Sequence, residues 1–223
     1  MKVKLVYLLI FYIFAELGKG YAAVKLNQEF NANFGVTDSK FLFNLNGNRV
    51  LYTGIFAPDN FERLFAVLPN GEKRVILSEN LVPGGDIDEF SNTADGKMVV
   101  YLAERSVPGR SELFSVPIEG GNVTKLNFNL VAGGSIFDFQ MAGSNVVYLA
   151  DAITDDKFEL FSVPVNGPVD ANLRLSSTLG ANDDVFPDYQ LSPARDHVVF
   201  RSTAGLNIRL SSSLVRPAAE GNA

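Results

Sequence analysis

Three groups of carboxylates are the side chains best placed by type and spacing to do chemistry. Asp86 and Asp88 form one, Asp151, Asp155 and Asp156 a second, and Asp183, Asp184 and Asp188 a third. Clustered carboxylates suit a hard cation such as Ca2+, which takes about six to eight oxygen ligands. The spacing Asp151-x-x-x-Asp155-Asp156 is not that of a Ca2+ loop, and no bidentate Glu follows at the required distance. No metal is therefore expected. Nucleophilic catalysis fares no better. Gly134-Ser135-Ile136 lacks the Gly-x-Ser-x-Gly spacing of a nucleophile elbow, and the one histidine, His197, borders an apolar run with no partner in view. With no cysteine, thiolate ligands, cysteine nucleophiles and disulfides are excluded. The expectation is a non-enzyme with no cofactor, whose acidic residues contact a partner.

The elements that must position these residues repeat with a period of about 50 residues. Arg63-Leu64-Phe65-Ala66-Val67, Glu112-Leu113-Phe114-Ser115-Val116-Pro117 and Glu159-Leu160-Phe161-Ser162-Val163-Pro164 are copies of one segment. Each follows an apolar run ending near Tyr52, Tyr101 or Tyr148, and a fourth such run ends at Phe200. Eleven residues before these aromatics stand Phe41, Phe90, Phe137 and Tyr189. Between lie Asn46-Gly47, Asp95-Gly96 and Ala142-Gly143, residues that admit the positive φ of tight hairpins. The fourth copy has Ala194-Arg195 there, so its turn must differ or carry strain.

Each unit thus reads as four antiparallel strands joined by hairpins, the second apolar throughout because both its faces are covered. Stacked units of this kind make a β-propeller. The expected fold is all-β, with blades over about 40–78, 89–127 and 137–176, a partial fourth over 188–212, and a disordered tail from 213 to 223. The shared aromatics Phe41, Phe90, Phe137, Phe65, Phe114 and Phe161 are expected to pack between blades.

Val24-Lys25-Leu26-Asn27 matches the outer-strand segment Thr124-Lys125-Leu126-Asn127. Two readings follow. This segment closes a four-bladed ring by completing the last unit, or the chain is a truncated piece of a longer propeller. Truncation is preferred, because the repeat decays after about Ala204, where Leu206 to Ser213 replace the Leu-Phe-Ser-Val motif.

The units Asp138-Phe139-Gln140, Val146-Val147-Tyr148-Leu149 and Glu159-Leu160-Phe161-Ser162-Val163-Pro164, with Gln190-Leu191-Ser192-Pro193 and the Asp95-Gly96 turn, resemble the repeats of TolB-like propeller proteins. The resemblance covers about residues 40–204. It implies a bacterial envelope or secreted protein that works by protein contact. The chain departs from TolB in showing no α/β domain before the propeller and too few blades.

Residues 1–22 fit a cleaved secretory signal: the basic start Met1-Lys2-Val3-Lys4, the uncharged stretch Leu5 to Ala15, and small residues at Gly20-Tyr21-Ala22. The propeller then spans 23–212, with periplasmic or secreted localisation and no membrane contact after cleavage. A net charge of −6 argues against non-specific nucleic-acid binding. In propellers the loops leading into the first strand and those between second and third strands share one end. Asp86, Asp88, Asp155, Asp156, Asp183, Asp184 and Asp188 would gather there as a face for an unidentified protein partner. Exposed blade edges would favour self-association. The alternatives are an accessory propeller of a prolyl-peptidase-like hydrolase without its catalytic domain, and a degenerate gene product.

Overall fold

The computed structural model describes residues 23–26, 36–44, 46–56, 61–78 and 81–215. Residues 1–22, where a secretory signal is expected, and Asn27 lie outside them, as do residues 216–223. Among the described residues four antiparallel sheets form, with strands in sequential order. The first holds β1 (Val36–Phe43), β2 (Val50–Phe56), β3 (Phe61–Val67) and β4 (Val75–Ile76). The second holds β5 (Ile87–Asn92), β6 (Met98–Ala103), β7 (Glu112–Pro117) and β8 (Thr124–Lys125). The third holds β9 (Ile136–Ala142), β10 (Asn145–Ala150), β11 (Glu159–Pro164) and β12 (Leu173–Arg174). The fourth has three strands, β13 (Gln190–Leu191), β14 (His197–Ala204) and β15 (Asn207–Leu214).

Alternation along the second strands explains the stacking. Successive strand residues face opposite sides of a sheet, so Tyr101 points back to the first sheet while Val100 and Leu102 point forward to the third. Tyr101, Phe90 and Phe114 accordingly share a core with Leu51, Leu64 and Leu77 of the first sheet. Val100, Leu102 and Leu113 share another with Tyr148, Phe139 and Phe161. Val147, Leu149 and Leu160 meet Val198, Phe200 and Tyr189 in a third. Each backward aromatic stacks on the third-strand Phe opposite it, Tyr52 on Phe65 at 5.3 Å, Tyr101 on Phe114 at 5.5 Å and Tyr148 on Phe161 at 5.3 Å. Such pairs add about 0.5–1.5 kcal/mol each beyond the area they bury.

Two of the expected packing aromatics are not in the core: Phe137 is 61% exposed and Phe41 44%. In the third sheet the residue opposite Tyr148 is Phe139, which is buried. Phe90 pairs with Tyr101 across the β5–β6 hairpin, eleven residues apart, whereas Phe139 pairs with Tyr148 only nine apart, so the β9–β10 hairpin is two residues shorter. Shortening by two preserves the alternation of faces, so Phe139 takes the place of Phe90, and Phe137 falls at the bulge of β9, where Asp88 stands in β5, exposed with its ring edge-on to Phe158 at 5.9 Å. In the first sheet Phe41 does pair with Tyr52, but on the side away from the second sheet.

The fourth sheet also differs from expectation. Its third strand forms despite the lost motif, and β15 runs through Leu214 with Val215 buried, so residues 213–215 are ordered rather than tail. The ladder explains this: all eight residues of β14 pair with β15 across a hairpin in which Gly205 takes φ +62°. Arg195 adopts φ +61° in the preceding turn, the strain expected where the other copies have Gly. Residues 24–26 form no outer strand. Leu26 instead packs on Val50, Tyr52, Phe65 and Val67 at the back of the first sheet, and the Tyr52 hydroxyl donates to its carbonyl at 3.4 Å. Among the described residues, no core cluster joins the fourth sheet to the first.

Candidate functional site

Loops at one end of the sheets form a continuous rim. The loop leading into β5 is tied to the β6–β7 loop by Val82 N–H to Glu104 O and Glu104 N–H to Asp86 O, both 3.2 Å. Val131 N–H to Ala152 O, at 3.2 Å, repeats this in the third sheet, and Thr203 N–H to Asp184 O, at 2.9 Å, in the fourth. Close approach requires glycine. A methyl on Gly85 would lie 2.7 Å from Glu104 O, and one on Gly134 2.7 Å from Asp151 O. Bonds between neighbouring sheets complete the rim. Ile87 N–H donates to the Glu62 carboxylate at 2.8 Å, Ser111 N–H to Ser135 Oγ at 3.0 Å, and Val185 N–H to Phe158 O at 2.9 Å.

All seven candidate aspartates sit in or beside this rim, in two different roles. Asp183 and Asp184 are half-buried structural acceptors. Asp183 takes the N–H groups of Gly180 and Gly205 at 3.1 and 2.8 Å. Asp184 takes that of Phe158 at 2.8 Å, while its own N–H donates to Thr203 Oγ1 at 2.7 Å, which fastens the fourth sheet to the third. Asp88 accepts from the Ser111 hydroxyl, and Asp188 forms an ion pair with Arg201 at 2.5 Å. Asp86, Asp155 and Asp156 present exposed side chains.

Asp155 and Asp156 converge with Asp151, one carboxylate oxygen of each lying within 4.8 Å of the others. Asp151 is buried, and its two oxygens accept the N–H groups of Ser135 at 2.6 Å and Asp156 at 3.2 Å. Its lone pairs thus hold the loop together. Of the six oxygens of these three carboxylates, the two on Asp151 already accept N–H bonds, so a Ca2+ shell of about six to eight oxygens would need further ligands from backbone or water.

His197 has a carboxylate partner after all. Its Nδ1 lies 3.0 Å from Asp196 Oδ1, and the Ser192 hydroxyl donates to the same oxygen at 2.8 Å. The order is wrong for a triad, because hydroxyl and imidazole both bind the carboxylate, and general-base activation needs the imidazole between the other two. The arrangement belongs to the hairpin. Ser192 Oγ also accepts the N–H groups of Asp196 and His197, as Thr93 Oγ1 accepts that of Met98 and Asn44 Oδ1 that of Arg49 in the earlier sheets. The bonds from His197 and Ser192 hold the Asp196 carboxyl below its ordinary range.

Several consequential polar residues escaped the reading of the sequence. Ser78, Asn127 and Ser176 recur every 49 residues. Each is buried and accepts the N–H of the third-strand leucine of its sheet: Leu64 at 2.9 Å, Leu113 at 2.8 Å and Leu160 at 3.3 Å. Glu112 and Glu159, buried at the head of the third strand, pair with Lys125 and Arg174 on the fourth. Burial raises the Glu112 carboxyl, but hydrogen bonds from Lys125 and Ser106 outweigh it and hold the group below its usual value. Glu89 and Asp138 directly precede the aromatics Phe90 and Phe139, as the candidate Asp188 precedes Tyr189, and the spacing of this carboxylate was the available signal. Asp138 is shifted upward by burial and by the neighbouring Glu89.

No protein-family model matches the chain, and no curated protein does. Solved structures do. Prolyl oligopeptidase B from Galerina marginata superposes with a TM-score of 0.56 at 10% identity, over 83% of this chain and 27% of that one. The fold is that of a β-propeller. A protein provisionally named TolB from Agrobacterium tumefaciens matches with a TM-score of 0.49 at 15% identity, over 83% of this chain and 62% of that one. TolB from Acinetobacter baumannii matches with a TM-score of 0.48 at 14% identity, over 79% and 40%. TolB proteins are thus among the structures the chain resembles, while the propeller expected from the repeat is borne out by the four stacked sheets and the likeness to the oligopeptidase. The chain spans less than two thirds of each of these three proteins. No helix among the described residues is long and apolar enough to cross a membrane.

Proposed function

We propose that this protein is an exported, non-enzymatic propeller that presents its acidic rim to a basic protein partner in the periplasm or outside the cell. The observation that carries the reading is the rim itself. Asp86, Asp155 and Asp156 are exposed on loops cross-braced by backbone hydrogen bonds, and rigid loops on a scaffold are where propeller surfaces recognise partners. The sole Ser–Asp–His grouping, in which the carboxylate rather than the imidazole receives the hydroxyl, supports a role without hydrolysis. The leader pattern of residues 1–22 supports export.

Charge reversal tests the reading. Asp183 and Asp184 are unsuitable, because their carboxylates hold the fold. The double variant Asp86→Lys with Asp155→Lys leaves those bonds intact. It is expected to keep the wild-type circular dichroism and to lose at least tenfold in affinity for the partner captured from envelope extracts. The wild-type interaction should weaken as salt is raised. Equal affinity in the folded double variant, or hydrolysis of a prolyl peptide substrate that Ser192→Ala abolishes, refutes it.

A further inference from the structure

One position on the rim differs from sheet to sheet. Ile87 pairs with Ala103, Ile136 with Ala150 and Val185 with Ser202, so the residues that follow, Asp88, Phe137 and Phe186, hold equivalent places. Two of them are matched within the chain. Asp88 accepts from the Ser111 hydroxyl. Phe186 lies under the Arg201 guanidinium, 4.8 Å from the ring centroid, and Arg201 Nε donates to Asp188 at 2.8 Å, which holds the guanidinium in place. Phe137 has only the edge-on ring of Phe158, at 5.9 Å, and is 61% exposed. Among the described residues no cation covers it.

The third sheet has the aromatic but lacks the guanidinium. Leu149 follows Tyr148 where Arg201 follows Phe200. It is buried between the third and fourth sheets, so the strand that covers Phe186 in the fourth sheet leaves Phe137 bare in the third. Carboxylates flank the bare ring. Ile136 N–H donates to Ser111 O at 3.0 Å, and Ser111 carries Asp88 on the side of the second sheet. Phe158 N–H donates to Asp184 at 2.8 Å on the side of the fourth. The backbone before the ring is fixed by Ile136 and by Ser135 N–H to Asp151 at 2.6 Å, so binding there orders little.

A bare ring between carboxylates suits a cation with a flat, weakly hydrated face and donors along its edge. A guanidinium has both, whereas an ammonium is a compact, strongly hydrated point charge. The chain uses this pairing on its own rings, with Arg74 over Phe65 at 5.4 Å and Arg105 over Phe114 at 4.6 Å besides Arg201 over Phe186. We infer that the basic partner engages the rim through an arginine whose guanidinium stacks on Phe137, as that of Arg201 does on Phe186. This rests on the proposed role of the rim as a partner surface, and it names the anchor of the contact and the cation it takes. Aromatic–arginine anchors of this kind carry much of the energy of protein interfaces.

NMR titration of the full chain with two capped hexapeptides of equal charge tests this. One carries two arginines among glycines, the other two lysines at the same places. The arginine peptide should shift the Phe137 ring protons and bind about three- to fivefold more tightly than the lysine peptide. Phe137→Leu keeps an apolar side chain and removes the ring. It should keep the wild-type circular dichroism and bind both peptides equally. Phe137→Trp offers a stronger cation-binding face and should raise the preference for arginine; it serves alone if Phe137→Leu misfolds. Equal affinity of the wild type for the two peptides overturns the inference. So does a preference that survives Phe137→Leu or fails to rise in Phe137→Trp. Equal binding that Asp86→Lys with Asp155→Lys weakens refutes the role of Phe137 and leaves the acidic rim standing. Binding of neither peptide refutes both.

Discussion

Asn127 offers the sharpest test of how the blades hold together. It is completely buried, its Oδ1 accepts the Leu113 N–H at 2.8 Å, and its Nδ2 donates to Phe128 O at 2.9 Å. The fourth strand, β8, is only two residues long, so the side chain after it carries bonding that a longer ladder would supply. Asn127→Ala leaves the Leu113 N–H buried and unpaired, at a cost of about 1–3 kcal/mol, and the missing amide adds a small cavity. The expected total is about 2–4 kcal/mol. For a chain of this size that lowers Tm by roughly 5–12 °C. The neighbouring blades supply the control, because Ser78 and Ser176 do the same work with a hydroxyl. Asn127→Ser should therefore recover most of the loss and remain within about 1 kcal/mol of wild type. Urea unfolding followed by circular dichroism gives the free energies. Hydrogen exchange at the Leu113 amide gives the local readout, which should quicken in the alanine variant alone. An alanine variant within 0.5 kcal/mol of wild type, or a serine variant as unstable as the alanine one, would refute the reasoning.

The shifted register of the third sheet predicts unequal outcomes for two phenylalanines two residues apart: Phe139→Ala should cost about 3–5 kcal/mol, whereas Phe137→Ser, which gives up an exposed edge contact with Phe158, should cost no more than about 1.5 kcal/mol by the same urea assay. Asp138 sets a pH dependence. Its carboxyl titrates above the ordinary range because it is buried beside Glu89, so its contribution to stability is complete below the unfolded-state pKa and is lost as pH rises through the raised folded value. Asp138→Asn should therefore raise Tm at pH 7 and leave it unchanged at pH 3; an equal effect at both pH values would contradict the assignment.

What the sequence made legible followed from period and alternation. An apolar run covered on both faces, a hairpin turn and a Glu-Leu-Phe-Ser-Val strand recur often enough to specify four-stranded units, and the sheets form where those signals stand. The errors have a common source. Counting eleven residues back from Tyr148 assumed that every first hairpin has one length, and a loop two residues shorter moved the buried position from Phe137 to Phe139. Because the two differ by an even number, both point to the same face of an ideal strand, and composition could not separate them. The third strand of the fourth sheet was obscured differently. Its motif is gone, with Ser211 opposite Phe200 where the other sheets place Phe opposite Tyr, yet the ladder across a Gly205 turn is enough to form it.

The acidic residues show why type and spacing reached the rim but not its chemistry. A carboxylate on a loop either projects into water or caps a backbone N–H, and the same letter in the same loop serves both ends. Asp183 and Asp184 cap, whereas Asp86 and Asp155 project. The difference lies in which neighbouring strand brings an unpaired N–H within about 3 Å, and that depends on how two blades sit against each other. The acidic rim is built by loops from several sheets, so it exists only once they stack. A mutation that loosens the stacking, such as Ser135→Ala, which removes the acceptor of the Ser111 N–H between the second and third sheets, should therefore erode partner binding at the rim.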